Sequence, residues 1–276
     1  KEFHIGHLYS NNVGESISRL LEATGATVRR VCYQGDVGMH VAKAIWGVTQ
    51  LAKDENVDAL SKLNAIQDQP ITERIQFLGK AYSTGAMAYE DNPQAQEEMK
   101  NLNKKIFAKD PQVFPVYELG KKWSLEYFET IYQRLGTQFK GYYFESEVGP
   151  KGVEIVQEYL KQGIFEESQG AIIFPGKKYG LHDRVFINSL GLPTYEAKEL
   201  GLAFTKMEDY TFDEAVVVTG NEIDEYFKVL VAAMKAIDPK LAAKIRHVSH
   251  GIVKLPSGKM SSRTGDVVTA VQVLDM

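Results

Sequence analysis

His4-Ile5-Gly6-His7 stands at the start of the chain, immediately before a segment whose apolar residues recur at helical spacing. Two imidazoles separated by a glycine, at the point where a helix begins, can offer ring N–H groups, backbone amides and a positive helix end to a polyphosphate. Two histidines near a chain end are otherwise ordinary surface residues. With a second motif described next, the sequence predicts a nucleotide site around His4, Gly6 and His7.

The second motif is Lys259-Met260-Ser261-Ser262-Arg263, a basic run between Gly258 and Gly265. By itself, a run of this kind is more often a solvated surface loop. A lysine and an arginine on a glycine-bounded loop are also suited to contact a pyrophosphate. The two motifs together favour attack of a substrate oxygen on the α-phosphate of ATP, a reaction that needs positioning and charge neutralisation more than a base.

Composition limits the classes of protein to consider. The 276 residues are 44% hydrophobic and 25% charged, which predicts a folded globular chain of one or two domains. A net charge of −4 argues against binding of nucleic acid by bulk charge alone and leaves room for a local basic groove. The single cysteine, Cys32, lies in an expected buried strand and excludes an internal disulfide and a cysteine-rich zinc site. No membrane span or leader segment is recognisable, so we expect a cytoplasmic protein.

Helices and strands alternate along most of the chain. We predict helices at 7–23, from the 34–38 turn to about 53, at 121–135, from Gly149-Pro150 to about 162, at 195–207 and at 222–236. We predict strands at 26–33, 139–144, 185–188, 215–219 and 245–255, with a hairpin formed by 164–165 and 171–174. Residues 54 to about 110 form a charged, mostly helical insertion. This order predicts an α/β fold built on a parallel sheet.

The paired motifs resemble those of the class I aminoacyl-tRNA synthetases. The run from Lys259 to Val268, together with Lys1 to Leu8 and Gly35-Asp36-x-Gly38, is most similar to the arginyl-tRNA synthetases. The resemblance covers nearly the whole chain, and the insertion carries no recognised signature. It implies a Rossmann-like parallel sheet with a mostly helical insertion. It also implies that residues 1–276 are the catalytic core, without the N-terminal domain and the C-terminal anticodon-binding domain of that family.

The resemblance also implies a set of ATP-binding residues. His4 and His7 on one side, and Lys259 with Arg263 on the other, are the expected catalytic groups. Mg²⁺ is expected to be bound mainly through the ATP phosphates, with no protein metal site. Ser262 stands where many class I enzymes have a second lysine. The full ATP-binding set is His4, Gly6, His7, Gly251, Ile252, Val253, Lys259, Met260, Ser261 and Ser262.

An arginine side chain presents a planar cation with five donors, and carboxylates with an aromatic hydroxyl suit it. The family pattern implies this role for Glu145, for Tyr195, and for Glu199, which replaces the usual aspartate. Tyr195 and Glu199 are one helical turn apart. Asn221 and Glu222 are alternative candidates for the substrate α-amino group. Taken singly, Glu145 is more often a solvent-exposed carboxylate and Tyr195 with Glu199 an ordinary amphipathic pair, and only their joint occurrence favours a binding site.

The expected activity is that of an arginine–tRNA ligase, with L-arginine, ATP and tRNA(Arg) as partners, a monomeric state and no membrane contact. Two alternatives remain open. One is a nucleotidylyltransferase of the same superfamily, and the other is a non-catalytic fragment that binds tRNA or protein. The short lead before His4 predicts a truncated core that is inactive by itself.

Overall fold

The structure is a computed structural model that describes residues 3–253 and 268–276. These residues form two compact units. Unit 1 combines residues 1–15, 35–138 and 253–276, and unit 2 combines residues 16–34 and 139–252. Within the described residues, no helix has the length and apolar character needed to cross a membrane.

Unit 1 is almost entirely helical. It contains the start of α1 (Ile5–Ala23), then α2 (Met39–Asp54), α3 (Ala59–Ile66), α4 (Ile71–Asp91), α5 (Pro93–Phe107), α6 (Phe114–Leu135) and α11 (Ala270–Leu274). Asp58 accepts a hydrogen bond from Ser61 N at the start of α3, and Asn92 caps α5 in the same way, with Pro93 in its first turn. These caps explain why one charged segment divides into separate helices.

The core of unit 1 lies between α2 and its neighbours. Glycines make close backbone contacts possible, because a Cβ on Gly47 would lie 1.8 Å from the Ala81 carbonyl oxygen and one on Gly85 would lie 2.0 Å from that of Lys43. The apolar face of α2 is buried at Ala42, Ile45, Val48 and Ala52. The helices formed by 59–107 therefore pack into the same core as α2.

Unit 2 contains the strands. They are β1 (Val31–Gln34), β2 (Gly141–Phe144), β3 (Glu166–Ser168), β4 (Ala171–Phe174), β5 (Arg184–Ile187), β6 (Ala215–Gly220) and β7 (Ile245–His250). Its helices are the end of α1, α7 (Glu145–Lys161), α8 (Tyr195–Asp209), α9 (Asp224–Ile237) and α10 (Pro239–Ala242). Short 3₁₀ turns lie at Gly176–Tyr179 and Asn221–Ile223.

Two pairs of strands in unit 2 are parallel. β1 pairs with β2, with Val31 opposite Gly141, and β6 pairs with β7, with Ala215 opposite Ile245. The three short strands β3, β4 and β5 instead form an antiparallel sheet. An α/β fold with small parallel sheets is therefore confirmed, and the expectation of parallel pairing is wrong for β5, whose connection to β4 contains only a 3₁₀ turn and no crossover helix.

The core of unit 2 is aromatic where the antiparallel sheet meets α8 and α9. Phe165, Phe174 and Phe186 are fully buried, and Phe165 packs edge-on against the other two rings with centroids 6.0 and 5.0 Å away. Leu200 and Leu230 complete the cluster from α8 and α9. These residues hold the start of α8 against the sheet.

Several helix and strand boundaries differ from the predicted ones. The helix expected to open at Gly149-Pro150 begins at Glu145, directly after β2, and Pro150 lies inside it. A proline in the second turn removes one backbone hydrogen bond, which a helix of this length tolerates when its buried face packs well. The first hairpin strand is Glu166–Ser168 instead of 164–165. Cys32 is in a strand as predicted, but it is only partly buried.

Candidate active site

The two histidines of the first motif form one unit of side chains in the structure. Their rings stack with centroids 3.6 Å apart. The Gly6 amide donates to His4 Nδ1 at 3.1 Å, and the His4 amide donates to His7 Nδ1 at 3.2 Å. Because each Nδ1 accepts a hydrogen bond, the neutral rings carry their proton on Nε2. Nε2–H, and not Nδ1, is therefore the donor of each neutral ring.

Gly6 is required by this arrangement. A Cβ at this position would lie 2.9 Å from His4 Cε1, closer than real Cβ contacts. The glycine between the histidines thus permits the His4 ring to fold back over its own backbone. The spacing of the motif is explained by this contact.

Two sets of contacts within unit 1 fix the backbone around the histidine pair. Phe3 is 5% exposed and its ring contacts those of Phe128 and Tyr132 on α6 at 5.5 and 5.7 Å. His4 forms an antiparallel bridge with Thr269, flanked by hydrogen bonds from Ile5 N to Val268 O at 3.0 Å and from Ala270 N to Phe3 O at 2.7 Å. The chain that follows the second motif therefore returns beside the first.

The turn after β1 is also fixed within unit 1. The buried Asp36 carboxylate accepts from Tyr117 Oη at 2.7 Å and from Lys121 Nζ at 2.6 Å, both on α6. This pairing joins the Gly35-Asp36-x-Gly38 segment to the helical part of the unit. The aspartate is an anchor for the turn.

The predicted arginine-binding residues of unit 2 lie at the starts of two helices. Glu145 is the first residue of α7 and Tyr195 is the first residue of α8. The Glu145 side chain is 5% exposed and forms a buried ion pair with Lys198, whose own side chain is 5% exposed. The Lys198 ammonium also lies 4.6 Å from the centroid of the Tyr195 ring. The structure thus brings a carboxylate, an aromatic ring and an internal cation together.

Glu199 lies one turn after Tyr195 on α8. Burial raises its pKa to about 7, Lys206 on the same helix acts against this shift, and Glu145 adds to it. Burial also lowers the pKa of Lys206. A carboxylate with a pKa near neutrality, in a cluster of polar residues, is typical of a functional site.

Asn221 and Glu222 lie on the 3₁₀ turn after β6, and both are exposed. The Glu222 carboxylate folds back over Gly220, where a Cβ would lie 2.1 Å from it. Gly251, Ile252 and Val253 follow β7, the neighbouring parallel strand. The geometry does not favour Asn221 over Glu222, or Glu222 over Asn221, as the contact for the substrate α-amino group.

His247 has a structural position on β7. Its ring stacks on Phe227 with centroids 3.8 Å apart, and its Nε2 lies 2.6 Å from Thr219 Oγ1. Burial lowers the pKa of this histidine. The ring therefore ties β6, β7 and α9 together.

The second motif, with Lys259, Met260, Ser261, Ser262 and Arg263, lies outside the described residues. Sequence reasoning also missed one residue, Lys198. Its signal was present in the alternating charges of Tyr195-Glu196-Ala197-Lys198-Glu199, since a lysine flanked by candidate ligands is a natural partner for a buried carboxylate.

Comparison with known proteins identifies the class. The family model described as "tRNA synthetases class I (R), catalytic domain" matches residues 1–276, so the chain belongs to the class I tRNA synthetases. Within that class it falls in the arginine branch, the R of the family description.

Its relatives carry the corresponding name. The chain is 31% identical over 277 residues to the arginine–tRNA ligase of Treponema pallidum and 30% identical over 284 residues to that of Amoebophilus asiaticus, with 100% of this chain aligned in both. It spans 45% and 48% of those proteins. The arginyl-tRNA synthetase structure from Plasmodium falciparum superposes with a TM-score of 0.64 at 19% identity, over 91% of this chain and 41% of that one.

Proposed function

We propose that the protein containing this chain activates L-arginine with Mg·ATP to arginyl-adenylate and pyrophosphate, and then transfers arginine to the 3′ end of tRNA(Arg). The arginine–tRNA ligase names of the relatives support this reaction. The observation that carries the choice of substrate is the group of Glu145, Tyr195 and Glu199 at the starts of α7 and α8. Two carboxylates beside an aromatic ring suit a guanidinium ion.

In the proposed first step, a carboxylate oxygen of arginine forms a bond to the α-phosphorus of ATP, and the bond to pyrophosphate breaks. His4 and His7 would stabilise the charge on the phosphates through their Nε2–H groups, a role supported by the hydrogen bonds that occupy Nδ1 in both rings. Lys259 and Arg263 would bind the pyrophosphate from the second motif, with Met260, Ser261 and Ser262 lining the loop.

The remaining contacts follow the same proposal. Gly251, Ile252 and Val253 would read adenine through their backbone, and Asn221 or Glu222 would bind the α-amino group. Among the described residues there is no cluster of three metal-ligating side chains, so we assign no protein ligand to Mg²⁺, which would be bound through the ATP phosphates and would neutralise their charge.

We also propose that the pairs β1–β2 and β6–β7 belong to one Rossmann-like sheet, with residues 1–276 as the catalytic core and about 54–110 as its helical insertion. The parallel register of both pairs and their helical connections support this assignment. A cytoplasmic, monomeric enzyme is the corresponding expectation for the whole protein.

The test is arginine-dependent exchange of pyrophosphate into ATP by the full-length protein, with and without tRNA, followed by aminoacylation of tRNA(Arg). We expect exchange with arginine and none with citrulline, which lacks the cation. His7→Ala and Lys259→Ala should each reduce exchange by at least about a hundredfold. Transfer of the adenylyl group to a phosphorylated small molecule instead would identify a nucleotidylyltransferase, and tRNA binding with neither reaction would identify a binding module.

A further inference from the structure

The arginine-binding residues lie on two helices that touch through their backbones. A Cβ on Gly152 of α7 would lie 1.9 Å from the Ala197 carbonyl oxygen, and one on Gly201 of α8 would lie 2.2 Å from that of Val148. No side chain separates the helices at these points. Their first turns are consequently held in fixed relation, and charges on them interact in a protein-like dielectric instead of water.

The negative charge of Glu145, the first carboxylate of the group, is already balanced by a positive charge of the protein. Glu145 and Lys198 form their ion pair at 5% exposure on each side, and the Lys198 ammonium is further stabilised by the Tyr195 ring. A buried ion pair of this kind keeps both members charged, because removing one charge leaves the other uncompensated. The lysine donates to one carboxylate oxygen of Glu145, Oε2.

The second carboxylate is in a different situation. Throughout the described residues, no cation forms an ion pair with Glu199 and no donor forms a hydrogen bond with it. Lys206 on its own helix and Glu145 on α7 act on it electrostatically, and Glu199 acts in turn on Tyr226 of α9. Tyr226 also interacts with Tyr33 on β1, and Glu145 is paired with Lys198 of α8. Arg184 on β5 is paired with Glu196 at 3.1 Å, and Lys240 on α10 is exposed. Among residues 3–253 and 268–276, the carboxylate of Glu199 thus has no close counter-ion.

We propose that binding of L-arginine is coupled to the release of one proton from Glu199, because Lys198 compensates Glu145 and leaves Glu199 as the titrating carboxylate of the site. This inference rests on the proposed function, since it concerns the same site and the same substrate. The guanidinium of arginine supplies the counter-ion that Glu199 lacks. The bound state therefore contains two carboxylates and two cations.

The sign of the pH dependence follows from the proton balance. Below the pKa of Glu199 the free site binds a proton that arginine must displace, so the dissociation constant for arginine increases as pH falls through 7. Above this range Glu199 is already ionised and affinity is constant. Between pH 8 and pH 6 the dissociation constant should increase about tenfold, with nearly one proton released at pH 6 and about half a proton at pH 7.

Titration calorimetry with L-arginine, in buffers of different ionisation enthalpy between pH 6 and pH 8, measures the affinity and the proton release together. We expect buffer-dependent enthalpies at pH 6 and nearly buffer-independent enthalpies at pH 8. Glu199→Gln should bind arginine at least tenfold more weakly and without proton release. Arginine binding with no proton release from the unmodified protein, or with the same release from Glu199→Gln, overturns the inference while leaving the proposed function intact. Absence of arginine binding instead contradicts the proposed function.

Variants of the two lysines separate the roles of the carboxylates. Lys198→Gln removes the counter-ion of Glu145, so a second proton should appear and the acid limb of log Kd against pH should steepen from a slope near one towards two. Lys206→Gln is the matched control on the same helix, and it should move the midpoint to higher pH with the slope unchanged. If Lys198→Gln does not fold, the neutral pair Glu145→Gln with Lys198→Gln replaces it and should retain a slope of one. An unchanged slope in folded Lys198→Gln contradicts the assignment.

Discussion

At the scale of single residues, the His4 and His7 rings show how a short motif can fix a tautomer. Each Nδ1 accepts a backbone amide, from Gly6 and from His4 respectively, and each ring therefore offers Nε2–H. The sequence predicted that both histidines belong to a nucleotide site, and this assignment stays a prediction. It could not predict which nitrogen donates, because that depends on the backbone path through Gly6.

The tautomer leads to a test at His7. The amide nitrogen of glutamine can occupy the position of Nε2, whereas that of asparagine reaches only the position of Nδ1. We expect His7→Gln to retain about ten times more arginine-dependent pyrophosphate exchange than His7→Asn, a difference of about 1.4 kcal/mol in the barrier.

The comparison needs equal folding of the two variants, which thermal unfolding can verify. Higher activity in His7→Asn would place the donor at Nδ1 and contradict the hydrogen bonds described for this ring.

Glu145 and Lys198 mark a limit of prediction at the same scale. The family pattern made Glu145 a candidate, but its buried partner, Lys198, is 53 residues away along the chain. Only the packing of α7 on α8 brings the two charges together. Contacts of this kind cannot be predicted from the spacing of residues within one helix.

At the scale of elements, helices with clear apolar periodicity were predicted to within a few residues at most ends, and α1 and α8 are examples. The start of α7 was predicted wrongly because Pro150 is typical of a first turn, whereas β2 passes directly into the helix at Glu145. The four-residue α10 was not predicted, since so short a segment has too few residues to show a period.

The contact between α7 and α8 gives an element-scale prediction. Gly152→Ala places a methyl group against the Ala197 carbonyl and must separate the helices, so we expect a loss of about 2 kcal/mol in unfolding free energy. Urea denaturation followed by far-UV circular dichroism measures this loss.

Gly14→Ala is the matched control, because Gly14 lies inside α1 with no atom within 4 Å of a built Cβ. That substitution should stabilise the protein by about 0.5–1 kcal/mol through helix propensity. Equal effects of the two substitutions would contradict close packing at Gly152.

The Asp36 anchor gives a second prediction at this scale. Asp36→Ala removes the carboxylate that accepts from Tyr117 and from the partly exposed Lys121, and we expect a loss of about 2 kcal/mol in unfolding free energy. Tyr117→Phe removes the hydrogen bond from Tyr117 alone and should cost about 1 kcal/mol. A larger loss from Tyr117→Phe than from Asp36→Ala would show that the ring packing, and not the carboxylate, anchors the turn.

At the scale of the whole molecule, each unit is assembled from stretches that are separated along the chain. Unit 1 combines three separate stretches and unit 2 combines two. The α/β class was predictable because helices and strands alternate. The antiparallel pairing of β3, β4 and β5 depends instead on the path of the segments that connect these strands. Local sequence does not determine the path of these connecting segments.

Deletion can test whether the charged helical segment, residues 59–107, is part of the core of unit 1. Removing residues 59–107 would expose the buried face of α2, because α4 and α5 pack on it. We expect the cooperative unfolding transition of unit 1 to be lost. The fluorescence of Trp46 and Trp123, which both belong to this unit, measures that transition.

Glu97→Ala with Lys100→Ala is the corresponding control, because it removes an exposed ion pair from the same segment and should leave the unfolding midpoint unchanged. A shortened chain with a normal fluorescence transition would show that the segment is peripheral to the core.

The bridge between His4 and Thr269 has a consequence for synthesis on the ribosome. It pairs two residues that are far apart along the chain, so its formation closes a long loop that contains all of unit 2. During translation the histidine motif emerges before its partner at 268–270, which emerges only after the whole of unit 2 has been synthesised. We therefore expect the local helices to form first and the histidine motif to reach its final backbone geometry among the last events of folding.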